Sequence, residues 1–167
     1  MAVSAKSIVI SLTVFILLVV GASLLLTAGQ RSEPQVASYT TASNDKPMAE
    51  IKEAFFDFGE IKVSDVKQKD FALKNTGTKP LQILNVNSSC GCTTGQIIYD
   101  GTTSKEFGMH SQSGYVTEIA PNSTAMVRLI YRPATMPVYG SVEREVYLTT
   151  NDPQKEKLVF AIKANVR

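Results

Sequence analysis

From Ile51 onward apolar residues recur at every second position, and this period constrains the fold more than any other feature of the chain. Residues i, i+2 and i+4 of a β-strand share one face of a sheet, so alternation of apolar and polar residues describes a strand with one buried face. Phe56 and Phe58 alternate around Asp57 before Gly59 interrupts the run. Phe71 and Leu73 point one way, and Asp70, Ala72 and Lys74 the other; the turn signal Asn75-Thr76-Gly77 precedes Leu81 and Ile83. Val127, Leu129 and Tyr131 alternate with Met126, Arg128, Ile130 and Arg132. Val142, Arg144, Val146 and Leu148 also fall on alternate positions, the arginine being expected beyond the core at the strand's start. After the turn Asn151-Asp152-Pro153, the positions Leu158, Phe160, Ile162, Ala164 and Val166 finish the pattern. About seven short strands, with turns roughly every 8–12 residues, imply an all-β, immunoglobulin-like antiparallel sandwich over residues 51–167. A domain of roughly 115 residues buries a sufficient core without a disulfide.

The N-terminus is a different material. Between Ser7 and Gln30 there is no charged residue, and Ile8 to Leu26 is mostly Ile, Leu, Val and Phe. About 20 apolar residues span a bilayer as a helix, so residues 1–29 are expected to form a transmembrane signal anchor, in contact with lipid through residues 8–28. Ser11, Thr13 and Ser23 are tolerated there because hydroxyls bond back to the helix. Gly21-Ala22-Ser23 would also permit close approach of another helix. A cleaved signal peptide is the competing reading, with a small residue in Leu26-Thr27-Ala28, although cleavable apolar cores run only about 7–15 residues. Cleavage would leave a secreted periplasmic protein. No lipoprotein cysteine follows the run. The short N-terminal stub and large C-terminal body fit a signal anchor that leaves the body outside the cytoplasm, so the helix is expected in the cytoplasmic (inner) membrane with the body on the periplasmic or extracellular side. Residues 30–50, rich in Ser, Thr, Ala, Gln and Pro, read as a flexible polar linker.

Composition excludes some functions. Seventeen basic residues stand against fifteen acidic, a net charge of +2, and no basic run occurs. That interleaving gives no footprint for nucleic acid. Both cysteines lie in Ser89-Cys90-Gly91-Cys92-Thr93. Residues i and i+2 of an extended strand are about 6.5–7 Å apart, near the outer limit for a disulfide, and Gly91 permits a tighter turn. Three readings stay open. Cys90 and Cys92 can form a disulfide, structural or redox-active; they can clip copper(I), with Met109 or His110 as further ligands; or they can be free thiols that shape the loop. Zinc wants about four ligands, and the chain offers two cysteines and one histidine. His110 by itself is more often a loop residue, and Met126 and Met136 read as core or rim packing. Asn87-Ser88-Ser89 and Asn122-Ser123-Thr124 read as turns, and Asp57, Glu60 and Asp65 as solvated strand and turn residues.

The motifs Phe56-Asp57-Phe58-Gly59-Glu60-Ile61, Phe71-Ala72-Leu73-Lys74-Asn75-Thr76-Gly77, Pro80-Leu81-Gln82-Ile83 and Ser89-Cys90-Gly91-Cys92-Thr93 occur in this order. Ile119-Ala120-Pro121-Asn122-Ser123 and Thr149-Thr150-Asn151-Asp152-Pro153 follow them. Over residues 53–166 the chain resembles a widespread bacterial domain family of unknown function with a Cys-Gly-Cys signature. That family is similar to the immunoglobulin-like folds of major sperm protein and of ASH domains, which are mostly binding or scaffolding modules. The resemblance implies fold and export, with no established reaction, and no cofactor is expected. One departure is the long spacing from Cys92 to Pro121. The excess, Gly95–Tyr115, reads as a surface insertion carrying partner contacts through Tyr99, Phe107, Met109, His110 and Tyr115. On that reading, residues 97–113 are dispensable for folding. No triad, phosphate loop or complete metal site accompanies the cysteines. The expectation is a membrane-anchored, non-enzymatic binding or scaffolding module, an accessory subunit of a membrane or envelope assembly. Thiol-redox or copper(I) handling at Cys90 and Cys92 is the alternative.

Overall fold

The structure is a computed structural model that describes residues 5–28, 35–111 and 114–167. The chain divides into two compact units, at Gln35/Val36.

In the first unit, α1 (Ala5–Ala28) is one helix of 24 residues. Thr13 Oγ1 donates to the Ile10 carbonyl at 2.9 Å, so the hydroxyl does bond back to the helix. The helix thus forms where the uncharged run lies. Among the described residues, however, no helix is long and apolar enough to cross a membrane.

The second unit is a sandwich of two five-stranded sheets. Its strands are β1 (Ala49–Ile51), β2 (Phe55–Ile61), β3 (Lys67–Asn75), β4 (Leu81–Ser88), β5 (Thr93–Tyr99), β6 (Thr102–Thr103), β7 (Thr117–Ile119), β8 (Thr124–Tyr131), β9 (Gly140–Thr150) and β10 (Lys157–Val166). One sheet has the order β1-β3-β8-β5-β6 and the other β2-β10-β9-β4-β7. All pairings are antiparallel except that of β2 with β10. The expected count of about seven omits β1, β6 and β7, which have only two or three residues each. Pieces so short carry no readable alternation.

Alternation along the long strands becomes burial. Phe71, Leu73, Val127, Leu129 and Tyr131 meet Val86, Val146, Leu148, Phe160 and Ile162 in one core. The Phe71 and Phe160 rings lie 5.4 Å apart between centroids, inclined at 40°. Two expectations are corrected. Gly59 does not end its run; it sits inside β2 at φ +65°, where the register against β10 slips between Lys163 and Asn165. A glycine with positive φ at such a slip is a bulge device. Ile130, expected to face outward, is buried.

The stretch read as a linker also behaves differently where it is described. From Val36 the chain belongs to the sandwich unit. The Ala37 N–H donates to Gln82 Oε1 at 2.9 Å, and the Thr78 N–H to the Lys46 carbonyl at 3.1 Å. Pro47 is buried, and a Cβ on Gly77 would run into the backbone of Lys46–Met48. Residues that look like turn punctuation hold this segment. The Asn75 side chain is buried, donating to the carbonyls of Lys79 and Ile119 and accepting from the N–H groups of Gly77 and Met48. Asp152, buried as well, accepts from the N–H groups of Ala49 and Gln154. Loss of either side chain would leave buried backbone groups unpaired, at about 1–3 kcal/mol for each.

The sheets approach closely at Gly95. A Cβ there would lie 2.7 Å from Cγ1 of Val146 and 3.0 Å from Cγ1 of Val86. Val146 is branched at Cβ and cannot swing aside freely. We predict that Gly95→Ala destabilises the protein by about 1–3 kcal/mol, the usual range for overpacking. Adding Val146→Ala should recover part of that loss as a measurable coupling in urea denaturation. Simple additivity of the two substitutions would show that the sheets do not meet at this point.

Candidate functional site

β4 ends in one sheet at Ser88 and β5 begins in the other at Thr93. The four residues between them carry the chain across the sandwich, and both cysteines lie among them. A disulfide joins Cys90 and Cys92, whose Cα atoms are 5.3 Å apart. That is shorter than the about 6.5–7 Å of an extended i, i+2 pair, because the chain turns here. The Thr93 N–H closes the turn on the Cys90 carbonyl at 3.2 Å. Gly91 is exposed at its tip, Cys90 is half-buried, and Cys92 is 2% exposed.

Both sheets grip the turn. The Ser89 N–H donates to the Glu145 carbonyl at 3.0 Å, and the Glu145 N–H donates to Ser89 Oγ at 2.9 Å. On the other side the Arg132 N–H donates to the Cys92 carbonyl at 2.8 Å. Ser88 Oγ donates to the Cys90 carbonyl at 3.0 Å.

The sulfurs have polar company. Thr93 Oγ1 lies 3.3 Å from Cys90 Sγ and 3.8 Å from Cys92 Sγ. Arg144 Nε donates to Cys92 Sγ at 3.3 Å. The guanidinium carbon is 5.8 Å from the centroid of the Tyr131 ring, within cation–π range. Arg144 was expected beyond the core. Instead its alternation with Val142 and Val146 carries it to the inner face, where it is half-buried at the mouth of the sandwich. Burial pushes the Tyr131 phenol above its ordinary range, against the opposing effect of Arg144. The Tyr131 hydroxyl hydrogen-bonds to no described residue.

An apolar loop adjoins this corner. It comprises residues 136–139, after the short 3-10 helix Pro133–Thr135. The Met136 thioether sits 3.3 Å from where a Cβ of Gly91 would be. Met136, Val138 and Tyr139 are 50%, 46% and 66% exposed. Met136 thus does more than pack at the rim, and Val138 and Tyr139 stand exposed beside it. The available signal was an apolar run broken by Pro133, Pro137 and Gly140, which can be neither a helix nor a central strand.

The candidate metal set does not assemble. Among the described residues no three His, Cys, Asp or Glu side chains form a group that could hold a metal ion, so Cys90, Cys92 and His110 do not make one. The physical reason is that the ligating form of cysteine is the thiolate, and these sulfurs are bonded to each other. The acidic residues Asp57, Glu60 and Asp65 are taken up locally. Asp57 accepts from the Gly59 N–H, Glu60 pairs with Arg167, and Asp65 accepts from the Lys62 N–H. That N–H and then Lys67 hold the Asp65 carboxyl below its usual range, against the opposing effect of desolvation. Asn122 has φ +60° and acts as a turn residue, whereas Asn87, expected in a turn, lies in β4 opposite Tyr147, its Oδ1 accepting from the Ser88 N–H.

The proposed partner loop comes apart into structural pieces. Asp100 and Gly101 both have positive φ and connect β5 to β6 as a two-residue hairpin. Gly95 and Phe107 exchange two backbone hydrogen bonds of 2.9 Å, and Phe107 is 3% exposed. The Tyr99 hydroxyl accepts from the Ala120 N–H at 3.1 Å. Tyr115 is half-buried, its phenol raised by desolvation and by Glu118. Met109 and His110 remain exposed, in a turn closed by Ser111 Oγ. Residues 97–113 therefore include core strand and core aromatic, and are not dispensable for folding.

Residues 49–107 match a protein family described as a protein of unknown function, DUF1573. The match takes in Cys90 and Cys92 and stops at Phe107, whereas the resemblance read from the motifs runs to residue 166. No curated protein matches the chain. Among solved structures, a protein of unknown function from Porphyromonas gingivalis W83 is similar with a TM-score of 0.55 at 18% identity, over 73% of this chain and 48% of that one. Part of a family 123 glycoside hydrolase from Clostridium perfringens is similar with a TM-score of 0.52 at 9% identity, over 73% of this chain and 27% of that one. The ASH/PapD-like domain 7 of human CEP192 has a TM-score of 0.49 at 12% identity, over 83% of this chain and 97% of that one. The chain thus spans about half the length of the Porphyromonas protein. At these identities the likeness is one of fold.

The segment that covers β5 is pinned by Arg132, whose Nη1 and Nη2 donate to the two carboxylate oxygens of Glu106 at 2.8 and 2.9 Å. Thr94 Oγ1 adds a bond of 2.8 Å. Arg132 foremost, then Thr94, holds the Glu106 carboxyl below its ordinary range, against the opposing effect of desolvation. Asp70 is lowered in the same way by Arg128. A depressed carboxyl contributes stability that is present above its unfolded pKa and is lost as pH falls through the folded one. Glu106→Gln should therefore flatten the acid limb of the stability–pH curve below the ordinary glutamate range. At neutral pH it should cost no more than about 1 kcal/mol, as an exposed pair does. Chemical denaturation across pH checks this; an unchanged acid limb would remove Glu106 from the acid response.

Proposed function

We propose that this chain is a binding or scaffolding module whose partner contact centres on the apolar loop 136–139 beside the Cys90–Cys92 turn. The observation that carries this reading is the exposure of Met136, Val138 and Tyr139 together, on a corner held by both sheets. Adjacent exposed apolar side chains on a rigid frame are the usual mark of a protein contact. The surface insertion Gly95–Tyr115 is the weaker candidate, since only Met109 and His110 of its five proposed contact residues are exposed. Free strand edges are weaker too. The edge strand β2 carries the Gly59 bulge together with Asp57 and Glu60, devices that discourage strand addition.

In the same proposal the uncharged run Ser7–Gln30 holds the module at the cytoplasmic membrane, with the sandwich on its periplasmic or extracellular side. The module serves there as an accessory subunit of an envelope assembly and catalyses no turnover of a small-molecule substrate. Support for this placement is the composition of the run itself.

A photo-crosslinking side chain at Tyr139 in the full-length chain, in its native cells, tests the contact. The expected result is one discrete crosslinked species that disappears with Val138→Asp, while the thermal transition is nearly unchanged, as for most surface substitutions. Crosslinking from Met109 but not from Tyr139 would transfer the interface to the insertion. Retention in carbonate-washed membranes, with protease access to the sandwich only from outside, is expected for the anchor. Release of a shortened soluble form would refute it.

A further inference from the structure

Five arginines occur in the chain, and four of them lie in the described residues: Arg128, Arg132, Arg144 and Arg167. Three have a carboxylate partner, Asp70, Glu106 and Glu60 respectively. Arg144 is different. It has no carboxylate within ion-pair distance among the described residues; its Nη1 donates to the Glu143 carbonyl at 2.8 Å, and its Nε donates to Cys92 Sγ at 3.3 Å. A half-buried guanidinium without a counter-ion is costly, and its charge acts strongly on whatever it faces. Here it faces a disulfide sulfur.

We propose that Cys90–Cys92 is a thiol–disulfide exchange site for a dithiol-bearing protein, with Arg144 and Thr93 stabilising the leaving sulfur. The two sulfurs are not equivalent. Cys90 is half-buried and adjoins the exposed Gly91, whereas Cys92 is buried against Arg144. An incoming thiolate attacks Sγ of Cys90. The new S–S bond joins the partner's sulfur to Cys90, the Cys90–Cys92 bond breaks, and its electron pair leaves on Cys92. Exchange is faster when the leaving thiolate is the weaker base. A neighbouring cation and hydroxyl donor make it so. Arg144 Nε supplies the charge, and Thr93 Oγ1, between the two sulfurs, supplies an O–H that can turn to Cys92. The Tyr131 hydroxyl is a further buried donor near Arg144 that hydrogen-bonds to no described residue.

The partner's second thiol then attacks its own mixed-disulfide sulfur and releases Cys90. In sum a dithiol becomes a disulfide, Cys90 and Cys92 become thiols, and two electrons and two protons pass from partner to protein. The loop 136–139, which reaches Gly91 through Met136, would present the partner to Cys90. Only that choice of a protein partner rests on the binding reading; the exchange chemistry does not.

The test uses the full-length chain with glutathione and dithiothreitol as probes, read by intact mass after alkylation, with the fold monitored by circular dichroism. The wild type is expected to be reduced while still folded. Exchange should slow about tenfold in Arg144→Met, with rate partly restored in Arg144→Lys. In reduced protein, the thiolate fraction of Cys92 should fall by a similar factor in Arg144→Met, measured by the pH dependence of alkylation. Oxidised glutathione should form a mixed disulfide on Cys90 in Cys92→Ser but leave Cys92 untouched in Cys90→Ser. If Arg144→Met does not fold, Thr93→Val gives the same test, with a several-fold slowing expected. The proposal is overturned if the wild-type disulfide is reduced only on unfolding. It is also overturned if the folded variant exchanges at the wild-type rate.

Discussion

The structure depends on one short crossing. Between Ser88 and Thr93 the chain must leave one sheet and enter the other with four residues. Face-to-face sheets lie about 10 Å apart, and the five steps from Ser88 to Thr93 reach at most about 17–18 Å when fully extended, so the chain has few residues in which to turn and cross. Three constraints fit the crossing into that space. The disulfide shortens the turn, paired bonds between Ser89 and Glu145 fix its start on β9, and the Arg132–Cys92 bond fixes its end on β8. Gly95, just beyond, lets the sheets close over Val86 and Val146. The position of β5, and hence of everything hydrogen-bonded to it through Phe107, follows from that crossing.

The same constraint explains why polar chemistry sits at the rim of an apolar core. A strand with inward residues at Val142, Arg144 and Val146 must place a guanidinium inside the mouth of the sandwich. The turn meets it with sulfur and the Tyr131 ring, and leaves the charge without a carboxylate. Packing and reactivity therefore share residues here: the group that fills the mouth is also the one poised to stabilise a thiolate.

How much of this could be read beforehand varied with the range of the interaction. The core strands were legible because burial on one face writes itself into every second residue, as in Phe71-Leu73 and Leu158 to Val166. The closeness of Cys90 and Cys92 was legible as a question, with disulfide, metal and free thiol all open. Phe107 was not legible. In sequence it stands in a polar, glycine-containing loop, and only its pairing with Gly95 draws it into the core. Asn75 and Asp152 looked like turn residues and are turn residues, but their buried bonds to Met48 and Ala49 run across long stretches of chain. For the same reason the linker reading did not anticipate residues 36–48 lying on the sandwich.

By itself, the sequence determined the class of fold, a helix within residues 1–29 and the place of the cysteine turn. Each of these follows from local periodicity, composition or spacing. Only the tertiary structure decided that Arg144 faces Cys92, that Phe107 closes the core, and that Met136, Val138 and Tyr139 stand exposed beside Gly91. Those facts depend on which strands lie opposite one another, and pairing between distant strands leaves no period in the chain. The alternation that set Arg144 in step with Val142 and Val146 left it expected beyond the core, because it could not say what the opposite sheet would offer it.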